Sequence, residues 1–306
     1  MKNDVKKIQT QKKRQMTKIG IIGTGILGNA VGLNLLKSGF DLTVYNRTKE
    51  KTNELKKNGA KVADSPKNVA KNSELVIIVV KDANAVKKVS FGKNGIIEGR
   101  HEGLIVADMS TINPIESKKI SKKFLDHKII KLDIPVMGGP NVAITGELVL
   151  IASGDKKTFD GLKNVFEKIA NKIFFLEGSG TAHLVKLSMN LQITMLALAL
   201  SEGITLVRSA NIDPKIFLDI LNSTYFKTGM SENKAYKMIQ DEFDATFTLA
   251  NLKKDISIIT DTAKSFRIKL PMIKKAEEVY NDALKNGFGD IDYTGILAYI
   301  KKANKS

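Results

Sequence analysis

The sequence predicts an α/β protein in which a doubly wound, mostly parallel sheet is followed by an all-helical C-terminal domain. From Lys18 to about residue 177, short apolar stretches rich in β-branched residues alternate with helical stretches. Such alternation is typical of parallel strands joined by crossover helices and covered on both faces. After about residue 178 the strand pattern stops and long helical stretches follow. The chain therefore divides into two domains of different class.

The expected strands of the first domain are short and mostly apolar: Lys18–Ile22, Asp41–Tyr45, Lys61–Ala63, Leu75–Val80, Leu104–Asp108, Ile129–Asp133, Leu148–Ala152 and Lys172–Phe175. Helices are expected between the first strands, over Asn29–Lys37 and Lys49–Asn58, each closed by a glycine. A third helix is expected to begin at Ser65-Pro66, with Ser65 as its cap.

The second domain is expected to begin with one long helix, Thr181–Ala210, within a domain that spans residues 178–306. Apolar residues occupy nearly its whole circumference, which predicts burial between domains or between subunits of a dimer or tetramer. Asp213-Pro214 begins the next helix, and Phe247–Phe266, Pro271–Asn286 and Tyr293–Ala303 follow. The first domain is expected to span residues 17–177.

Composition excludes several function classes. The chain has 306 residues, enough for two ordinary cores, and it has no cysteine, which excludes disulfides, Cys-ligated zinc and thiol catalysis. No metal site is expected. Its apolar runs are far shorter than the roughly 20 residues of a membrane span, and no signal peptide is recognised. We therefore expect a cytoplasmic protein without a membrane partner.

The formal net charge is +17, and part of the excess lies in the first residues. We interpret residues 1–16 as a flexible basic tail without a function of its own, and a nucleic-acid or membrane role as the weaker alternative. The remaining lysines are interpreted as solvated surface that also attracts an anionic cofactor.

A glycine-rich turn follows the first strand. Its residues, Gly23-Thr24-Gly25-Ile26-Leu27-Gly28, fit G-x-G-x-x-G in the strand–turn–helix context that a Rossmann dinucleotide site requires. Gly23 permits the tight turn, Gly25 lets the backbone approach a pyrophosphate, and Gly28 lets helix and strand pack closely. The helix N-terminus offers N–H groups and partial positive charge to the phosphates. The alternative is a glycine turn without a ligand.

The residues after the second strand favour NADP(H). An NAD enzyme usually places a carboxylate there for the ribose hydroxyls, whereas this chain has Asn46-Arg47-Thr48. Arg47 can pair with a 2′-phosphate, and Asn46 and Thr48 can add polar contacts. NAD(H) remains possible, and a surface role for Arg47 is the alternative.

Three polar residues interrupt the long apolar helix at spacings of three and four. His183, Lys186 and Asn190 therefore share one helix face. A lysine that lines a cleft can stabilise the negative charge that hydride transfer builds on a carbonyl oxygen and can supply the proton. Spacing alone leaves a snorkelling lysine with a helix-face asparagine equally open.

This segment resembles the catalytic signature of the β-hydroxyacid dehydrogenases, the family that contains 3-hydroxyisobutyrate dehydrogenase, tartronate semialdehyde reductase and succinic semialdehyde reductase. In that signature a glycine lies six residues before the lysine and an asparagine four after it, and Gly180, Lys186 and Asn190 match. The signature's second glycine is Ala182 here. The resemblance covers about residues 17–300 and implies that Lys186 and Asn190 are catalytic.

Other segments resemble the same family: Asp108–Pro114 the D-x-S-T-x-x-P loop beside the nicotinamide, Asp133–Gly139 the D-A-P-V-S-G-G substrate loop, Phe247 with Lys254-Asp255 the F-x(6)-K-D element, and Asp292-Tyr293 an Asp near the C-terminus. The resemblance implies that the cofactor site also includes Val80, Ser110, Thr111, Phe247 and Lys254. It further implies that the helical domain is like that of 6-phosphogluconate dehydrogenase.

The substrate loop departs from the family pattern at one position. The family's serine is Met137 here, so a hydroxyl contact to the substrate carboxylate is lost. Gly138 and Gly139 keep backbone N–H groups that can hold a carboxylate. The loop favours a bulkier or more apolar substrate, or His183 replaces the lost contact. Packing against neighbouring helices or the cofactor is the alternative for His183.

The sequence thus predicts an NADP(H)-dependent oxidoreductase that interconverts a small β-hydroxy acid and its semialdehyde, with Lys186 as general acid and base. Reduction of succinic semialdehyde, glyoxylate or tartronate semialdehyde is the alternative within the class. Imine reduction fits less well, because Lys186 suits carbonyl chemistry. A different class is a non-catalytic dinucleotide-binding protein with a nucleic-acid-binding tail, although a nucleic-acid partner is not expected.

Overall fold

The computed structural model describes residues 18–304, so the expected basic tail, residues 1–16, lies outside the described residues. Within them, nine strands form one sheet: β1 (Lys18–Ile22), β2 (Asp41–Tyr45), β3 (Lys61–Val62), β4 (Leu75–Ile78), β5 (Ile105–Asp108), β6 (Ile130–Asp133), β7 (Val136–Met137), β8 (Leu148–Gly154) and β9 (Ala170–Glu177). All eight expected strands are present, the first two with the expected bounds and the other six with shifted ends.

Fifteen α-helices occur in the same part of the chain: α1 (Ile26–Lys37), α2 (Asn53–Lys57), α3 (Pro66–Lys71), α4 (Ala83–Phe91), α5 (Pro114–Asp126), α6 (Pro140–Ala143), α7 (Lys156–Gly161), α8 (Lys163–Ile169), α9 (Thr181–Ser209), α10 (Pro214–Asn222), α11 (Gly229–Asn233), α12 (Ala235–Ile239), α13 (Leu249–Ser265), α14 (Pro271–Lys285) and α15 (Ile296–Ala303). Short 3₁₀ turns cover Lys49–Thr52, Ile96–Gly99 and Tyr293–Gly295.

Strand order in the sheet is β3-β2-β1-β4-β5-β6-β8-β7, and β9 pairs with β8. The pairs from β3 to β6 are parallel, so their carboxyl ends lie at one edge of the sheet. The chain order reverses between β1 and β4, and ligands of doubly wound sheets bind at the carboxyl edge at such a point. The expected Rossmann-type sheet is confirmed, and its topology marks the edge beside β1 and β4 as the candidate site.

Strands β8 and β9 run in the opposite direction to the other seven. β6 and β7 each pair antiparallel with β8, and β8 pairs parallel with β9. Strand β7 was not expected from the sequence, where Met137 was placed in a loop. Met137 pairs with Val149 instead, which anchors the start of the candidate substrate loop to the sheet.

Apolar side chains cover both faces of the parallel strands. Ile19 and Leu75 on one face of the sheet and Ile22 and Val76 on the other are buried, as expected for strands that helices cover on both sides. α1 contributes Val31 and Leu35 to the same core, whereas the sequence placed the start of this helix three residues later. Because α1 begins at Ile26, the glycine turn feeds directly into its first turn.

Helix caps follow the expected chemistry. The backbone N–H of Asn68 donates to the Ser65 side chain at the start of α3, and Pro66 is the first helical residue. At the start of α10, the N–H of Lys215 donates to the Asp213 side chain. Both expected helix starts are confirmed.

The helical part is built around α9, which spans 29 residues. Its apolar residues pack with α13, α14 and α15 in a core that includes Leu187, Leu252, Ile256 and Tyr280. A smaller cluster joins the end of α9 to α10 and α12, through residues such as Leu200. Helices α11 and α12 have five residues each, too short for a periodic signal in the sequence.

Two compact units can be distinguished by contacts. One contains the chain up to Ser110 together with Lys118–Ser179, and the other contains Thr111–Ser117 together with the chain from Gly180. Asn113 belongs to the helical unit through its side-chain amide, which donates to Thr262 Oγ1 at 3.1 Å. The sequence had placed a single boundary between residues 177 and 178.

Among the described helices, only α9 is long and apolar enough to cross a membrane by length and composition. The core helix of a globular protein passes the same test. α9 contributes Leu187 and Ala197 to the core of the helical unit and carries Lys186 and Arg208 within its length.

Candidate active site

The glycine turn closes tightly against the carboxyl end of β4. Gly23 has φ +103°, and a side chain there would lie 2.0 Å from the carbonyl oxygen of Val79. A side chain on Gly28 would lie 2.0 Å from the carbonyl oxygen of Gly23. Both positions therefore require glycine for close approach of backbone segments.

The same turn leaves room for a ligand where the motif needs it. A side chain on Gly25 would meet nothing within 4 Å, and Gly25 is the N-cap of α1 without a side-chain cap. The helix thus presents uncapped N–H groups beside an open surface, and Ile26 is 58% exposed next to them. These features fit the pyrophosphate of a dinucleotide.

Of the three residues after β2, Asn46 is bonded to the glycine turn, whereas Arg47 and Thr48 are exposed to solvent. Asn46 braces the turn, because its Oδ1 accepts from the N–H of Thr24 at 3.1 Å and its Nδ2 donates to the carbonyl of Thr48 at 2.8 Å. Thr24 is buried and donates through Oγ1 to the carbonyl of Lys51. Arg47 and Thr48 are exposed. The arrangement leaves the guanidinium of Arg47 accessible to an anion at the end of β2.

Ser110 is held at the carboxyl end of β4. Its Oγ accepts from the N–H of Val80 at 3.1 Å, and its own N–H donates to Asp108 Oδ1 at 3.0 Å. Asp108 and Ser110 are buried. Val80 and Ser110, both expected near the nicotinamide, are thereby joined, whereas Thr111 clusters with the helical unit.

The candidate substrate loop leaves the sheet at β7. Gly138 has φ +116°, and a side chain there would lie 2.6 Å from Val142 and 2.9 Å from Leu148. Gly139 has open space around its Cα, and both glycines are exposed. Met137 is half-buried. The loop therefore offers the backbone N–H groups of two exposed residues, and the positive φ of Gly138 is one that glycine alone adopts readily.

In the helical unit, half-buried Lys186 and buried Asn190 lie one turn apart on α9, and Lys254 and Asp255 of α13 interact with them. Asn190 is 1% exposed, and its Nδ2 donates to Asp255 Oδ2 at 2.6 Å. In the described part of the chain Asn190 Oδ1 has no hydrogen-bond partner. Lys254 Nζ lies 2.8 Å from Asp255 Oδ1. Asp255 thus fixes the orientation of the Asn190 amide and leaves its oxygen available as a hydrogen-bond acceptor.

Burial lowers the pKa of Lys186 to about 8. The charge of Lys254 lowers it further, and the carboxylate of Asp255 opposes the shift. Lys254 and Asp255 both belong to α13, so this helix adjusts the pKa of a lysine on α9. A lysine with such a pKa has substantial populations of both protonation states near neutral pH, which suits a general acid and base.

Three further residues that the sequence singled out lie in the helical unit: His183, Phe247 and Asp292. His183 is fully buried. Phe247 is half-buried and packs edge-on against Tyr293, with ring centroids 6.0 Å apart. Asp292 accepts from Lys234 Nζ at 2.8 Å, and despite burial this contact lowers the pKa of Asp292. Asp292 therefore anchors the chain before α13 and α15 rather than presenting a free carboxylate.

Two functional candidates were not assigned a role from the sequence. Asp255 is 65 positions from Asn190, so their contact has no local signal. Lys131, on β6, is buried between Asp108 and Asp133. A charged residue at an inward position of an apolar strand was the available signal. No group of three or more His, Asp or Glu side chains that could hold a metal ion occurs within residues 18–304.

Comparison with known proteins gives the family. Residues 18–178 match the family described as the NAD binding domain of 6-phosphogluconate dehydrogenase, and residues 180–300 match the one described as NAD-binding of NADP-dependent 3-hydroxyisobutyrate dehydrogenase. The chain belongs to the β-hydroxyacid dehydrogenase family. Like its family, it is an oxidoreductase with a nicotinamide-dinucleotide-binding domain.

Two relatives in this family are similar in sequence over almost the whole length of this chain. Glyoxylate/succinic semialdehyde reductase 1 of Arabidopsis thaliana is 31% identical over 283 residues, 92% of this chain and 98% of that protein. The 2-hydroxy-3-oxopropionate reductase of Escherichia coli is 28% identical over 280 residues, 92% of this chain and 96% of that protein.

A solved structure agrees with the fold. The 3-hydroxyisobutyrate dehydrogenase from Salmonella typhimurium superposes with a TM-score of 0.84 at 24% identity, covering 92% of this chain and 99% of that chain. The expected combination of a Rossmann-type sheet with the helical domain of this dehydrogenase family is confirmed.

Proposed function

We propose that this β-hydroxyacid dehydrogenase is NADP(H)-dependent and interconverts a small carboxylate-bearing semialdehyde and its hydroxy acid, with Lys186 as general acid and base. The observation that carries the proposal is the placement of half-buried Lys186, whose pKa is lowered to about 8, on the same helix face as an Asn190 amide that Asp255 orients.

A bound nicotinamide dinucleotide supplies the hydride in reduction and accepts it in oxidation. The chain's own groups would bind it: the N–H groups at the start of α1 would donate to the pyrophosphate, for which the open space at Gly25 leaves room. Ser110, braced by Val80 and Asp108, lies at the carboxyl end of β4. Arg47 is the group that binds a 2′-phosphate.

Lys186 moves the proton. In reduction its ammonium donates a hydrogen bond to the carbonyl oxygen, stabilises the negative charge that develops there and transfers the proton to it. In oxidation the neutral amine takes the hydroxyl proton. The Asn190 amide, which Asp255 holds in place, orients the substrate beside Lys186.

The substrate carboxylate is bound by backbone N–H groups of Gly138 and Gly139, which are exposed after β7. Met137 offers no hydroxyl at the position where the family has serine, so this site makes fewer polar contacts and more apolar ones. We therefore propose the semialdehydes of relatives as the first substrates to assay: succinic semialdehyde, glyoxylate and 2-hydroxy-3-oxopropionate, beside methylmalonate semialdehyde, the oxidised partner of 3-hydroxyisobutyrate.

Lys186→Met tests the proton role. We expect kcat for semialdehyde reduction to fall by about 10²–10⁴-fold, the usual contribution of general acid catalysis. NADPH affinity should change little, and the fold should persist because burial already disfavours the ammonium. Turnover is measured from NADPH absorbance, and affinity from NADPH fluorescence.

The matched control is Lys274→Met, at an exposed position on α14, which should leave kcat unchanged. Turnover of the Lys186 variant within a few fold of wild type would remove lysine catalysis from the proposal.

Arg47→Asp tests the cofactor preference. The change removes a charge-assisted contact to the 2′-phosphate and adds a carboxylate that repels it. We expect NADPH affinity to fall by about 10–100-fold, the equivalent of about 1.5–3 kcal/mol for a hydrogen bond to a charged group, with little loss for NADH. Titration of each dinucleotide against the variant measures both dissociation constants.

Lys49→Asp, an exposed change of the same charge two residues further on, separates the local contact from a general electrostatic effect. Equal losses for NADPH and NADH in the Arg47 variant would contradict the preference for NADP(H).

A further inference from the structure

A buried ionic group lies at the carboxyl edge of the sheet. Asp108 and Asp133 are the last residues of β5 and β6, are paired in register, and are both fully buried. Two carboxylates at such a place repel each other and are costly to bury without compensation. Their presence requires a cation or donors nearby.

Lys131 provides the cation from within β6. It precedes Asp133 by two residues, so both side chains point to the same face of the strand. Lys131 Nζ contacts Asp133 Oδ1 and lies 3.5 Å from Asp108 Oδ2, and all three side chains are inaccessible to solvent. Burial would lower the pKa of Lys131, but the two carboxylates more than offset this and hold its pKa above the usual value. Lys131 therefore stays charged at working pH.

Each carboxylate also holds a segment that the proposed function uses. Asp108 Oδ1 accepts from the N–H of Ser110, whose Oγ in turn accepts from the N–H of Val80. Because Asp108 holds Ser110 and Ser110 holds Val80, a displacement of the Lys131 ammonium would also displace the loop after β5 and the residues after β4. The nicotinamide half of the cofactor is expected at this place.

Asp133 begins the segment that leads to Met137 and Gly138. Its Oδ2 accepts from Ser153 Oγ at 3.1 Å and from Ser179 Oγ at 3.4 Å. Ser179 also lies 2.7 Å from Ser121 through the two hydroxyl oxygens, and it directly precedes Gly180, the N-cap of α9. The carboxylate thus ties the start of the candidate substrate loop to β8 and to the segment before the catalytic helix.

We propose that Lys131 is a positioning residue that, by bridging Asp108 and Asp133, holds the cofactor loop at Ser110 and the substrate loop at Gly138 in their binding conformations. The inference rests on the proposed function for the substrate loop, whereas the cofactor loop can be tested by binding alone. The competing interpretation is an ion pair that serves stability only. The two differ in what happens when the charge is removed and the fold is kept.

Two variants are designed to remove the bridge with the least disturbance to the fold. Lys131→Gln retains N–H donors for both carboxylates without the charge. Lys131→Met combined with Asp133→Asn removes the ammonium together with one carboxylate, which avoids leaving both carboxylates unpaired. Lys172→Gln, an exposed lysine of β9, is the matched control.

We expect both variants to melt within several degrees of wild type. The Kd for NADPH and the KM for the semialdehyde should rise by about 10–100-fold, the range for a small misplacement of binding groups. The fall in kcat should be smaller, and the pKa seen in the kcat/KM profile should stay with Lys186, because the proton donor is unchanged. The Lys172 variant should match wild type in all four measurements.

Folded variants with Kd and KM within twofold of wild type would overturn the proposal, and so would failure of both variants to fold, since Lys131 would then serve stability alone. If wild type reduces none of the semialdehydes, the proposed function fails separately. The NADPH affinity of the same variants then still decides whether Lys131 positions the loop at Ser110.

Discussion

At the scale of single residues, Lys186 shows how burial prepares a side chain for proton transfer. An exposed lysine is almost always protonated near neutral pH and is a poor base. Burial lowers the pKa of Lys186 to about 8, so the amine and the ammonium are both available. Asp255 opposes the shift, which keeps the pKa from falling so far that the acid form is lost.

This pKa predicts opposite pH dependences for the two reaction directions. Reduction needs the ammonium, so its kcat/KM should fall as pH rises through about 8. Oxidation needs the neutral amine, so its kcat/KM should rise through the same region. Initial rates in both directions across pH 6 to about 10, in buffers of constant ionic strength, give the two profiles.

The control for this prediction is Lys186→Arg, which stays charged at every pH of the series and should lose the inflection. Profiles that bend in the same direction for oxidation and reduction would show that another group controls the rate.

Single residues also show where the sequence was insufficient. The type of residue at Lys186 and Asn190 and their spacing were enough to nominate them, but not to choose between catalysis and a snorkelling lysine. The contact between Asn190 and Asp255 joins positions 65 apart and depends on how α9 packs on α13. Likewise, nothing in the sequence indicated that the Asn46 side chain, which is expected to contact the cofactor, also braces the turn at Thr24.

At the scale of elements, the sequence predicted best where local chemistry decides the structure. The glycine turn, the Ser65 and Asp213 caps and the eight apolar strands follow from backbone conformation, hydrogen bonding and alternation of strand and helix. It predicted least where pairing partners decide. Strand β7 has two residues, and it exists because Met137 and Val136 find Val149 and Leu150 on an antiparallel neighbour.

The direction of β8 illustrates the same limit. An apolar run of this length can form either a parallel or an antiparallel strand, and its residues do not indicate which of the two it forms. Its antiparallel pairing with β6 places Ser153 opposite Asp133, which completes the polar group around Lys131. The element thus acquires its part in the site from the sheet, which explains why the sequence alone did not reveal the Lys131 group.

At the scale of the whole molecule, apolar residues remain on the surface of the helical unit. Leu206 of α9 is 71% exposed. Three isoleucines spaced four residues apart are also exposed: Ile212, just before α10, and Ile216 and Ile220 within it. Ile216 and Ile220 lie one turn apart on α10 and therefore share one helix face, whereas Ile212 precedes the helix. Tyr225 and Phe226, which follow the helix, are also exposed. Large exposed apolar residues that concentrate in one part of a surface mark interaction sites.

We propose that a second copy of this chain covers the patch formed by Leu206, Ile212, Ile216 and Ile220, because identical apolar faces pair readily about a two-fold axis. Wild type should therefore elute as a dimer or tetramer in size-exclusion chromatography with light scattering.

The double variant Ile216→Glu with Ile220→Glu should shift the mass to a smaller species, since a carboxylate in an apolar interface loses its hydration without gaining a partner. Lys215→Glu, on the same helix but off the isoleucine face, should keep the wild-type mass. A wild-type protein that is monomeric at micromolar concentration, or a double variant of unchanged mass, would show that this face is not where the copies meet.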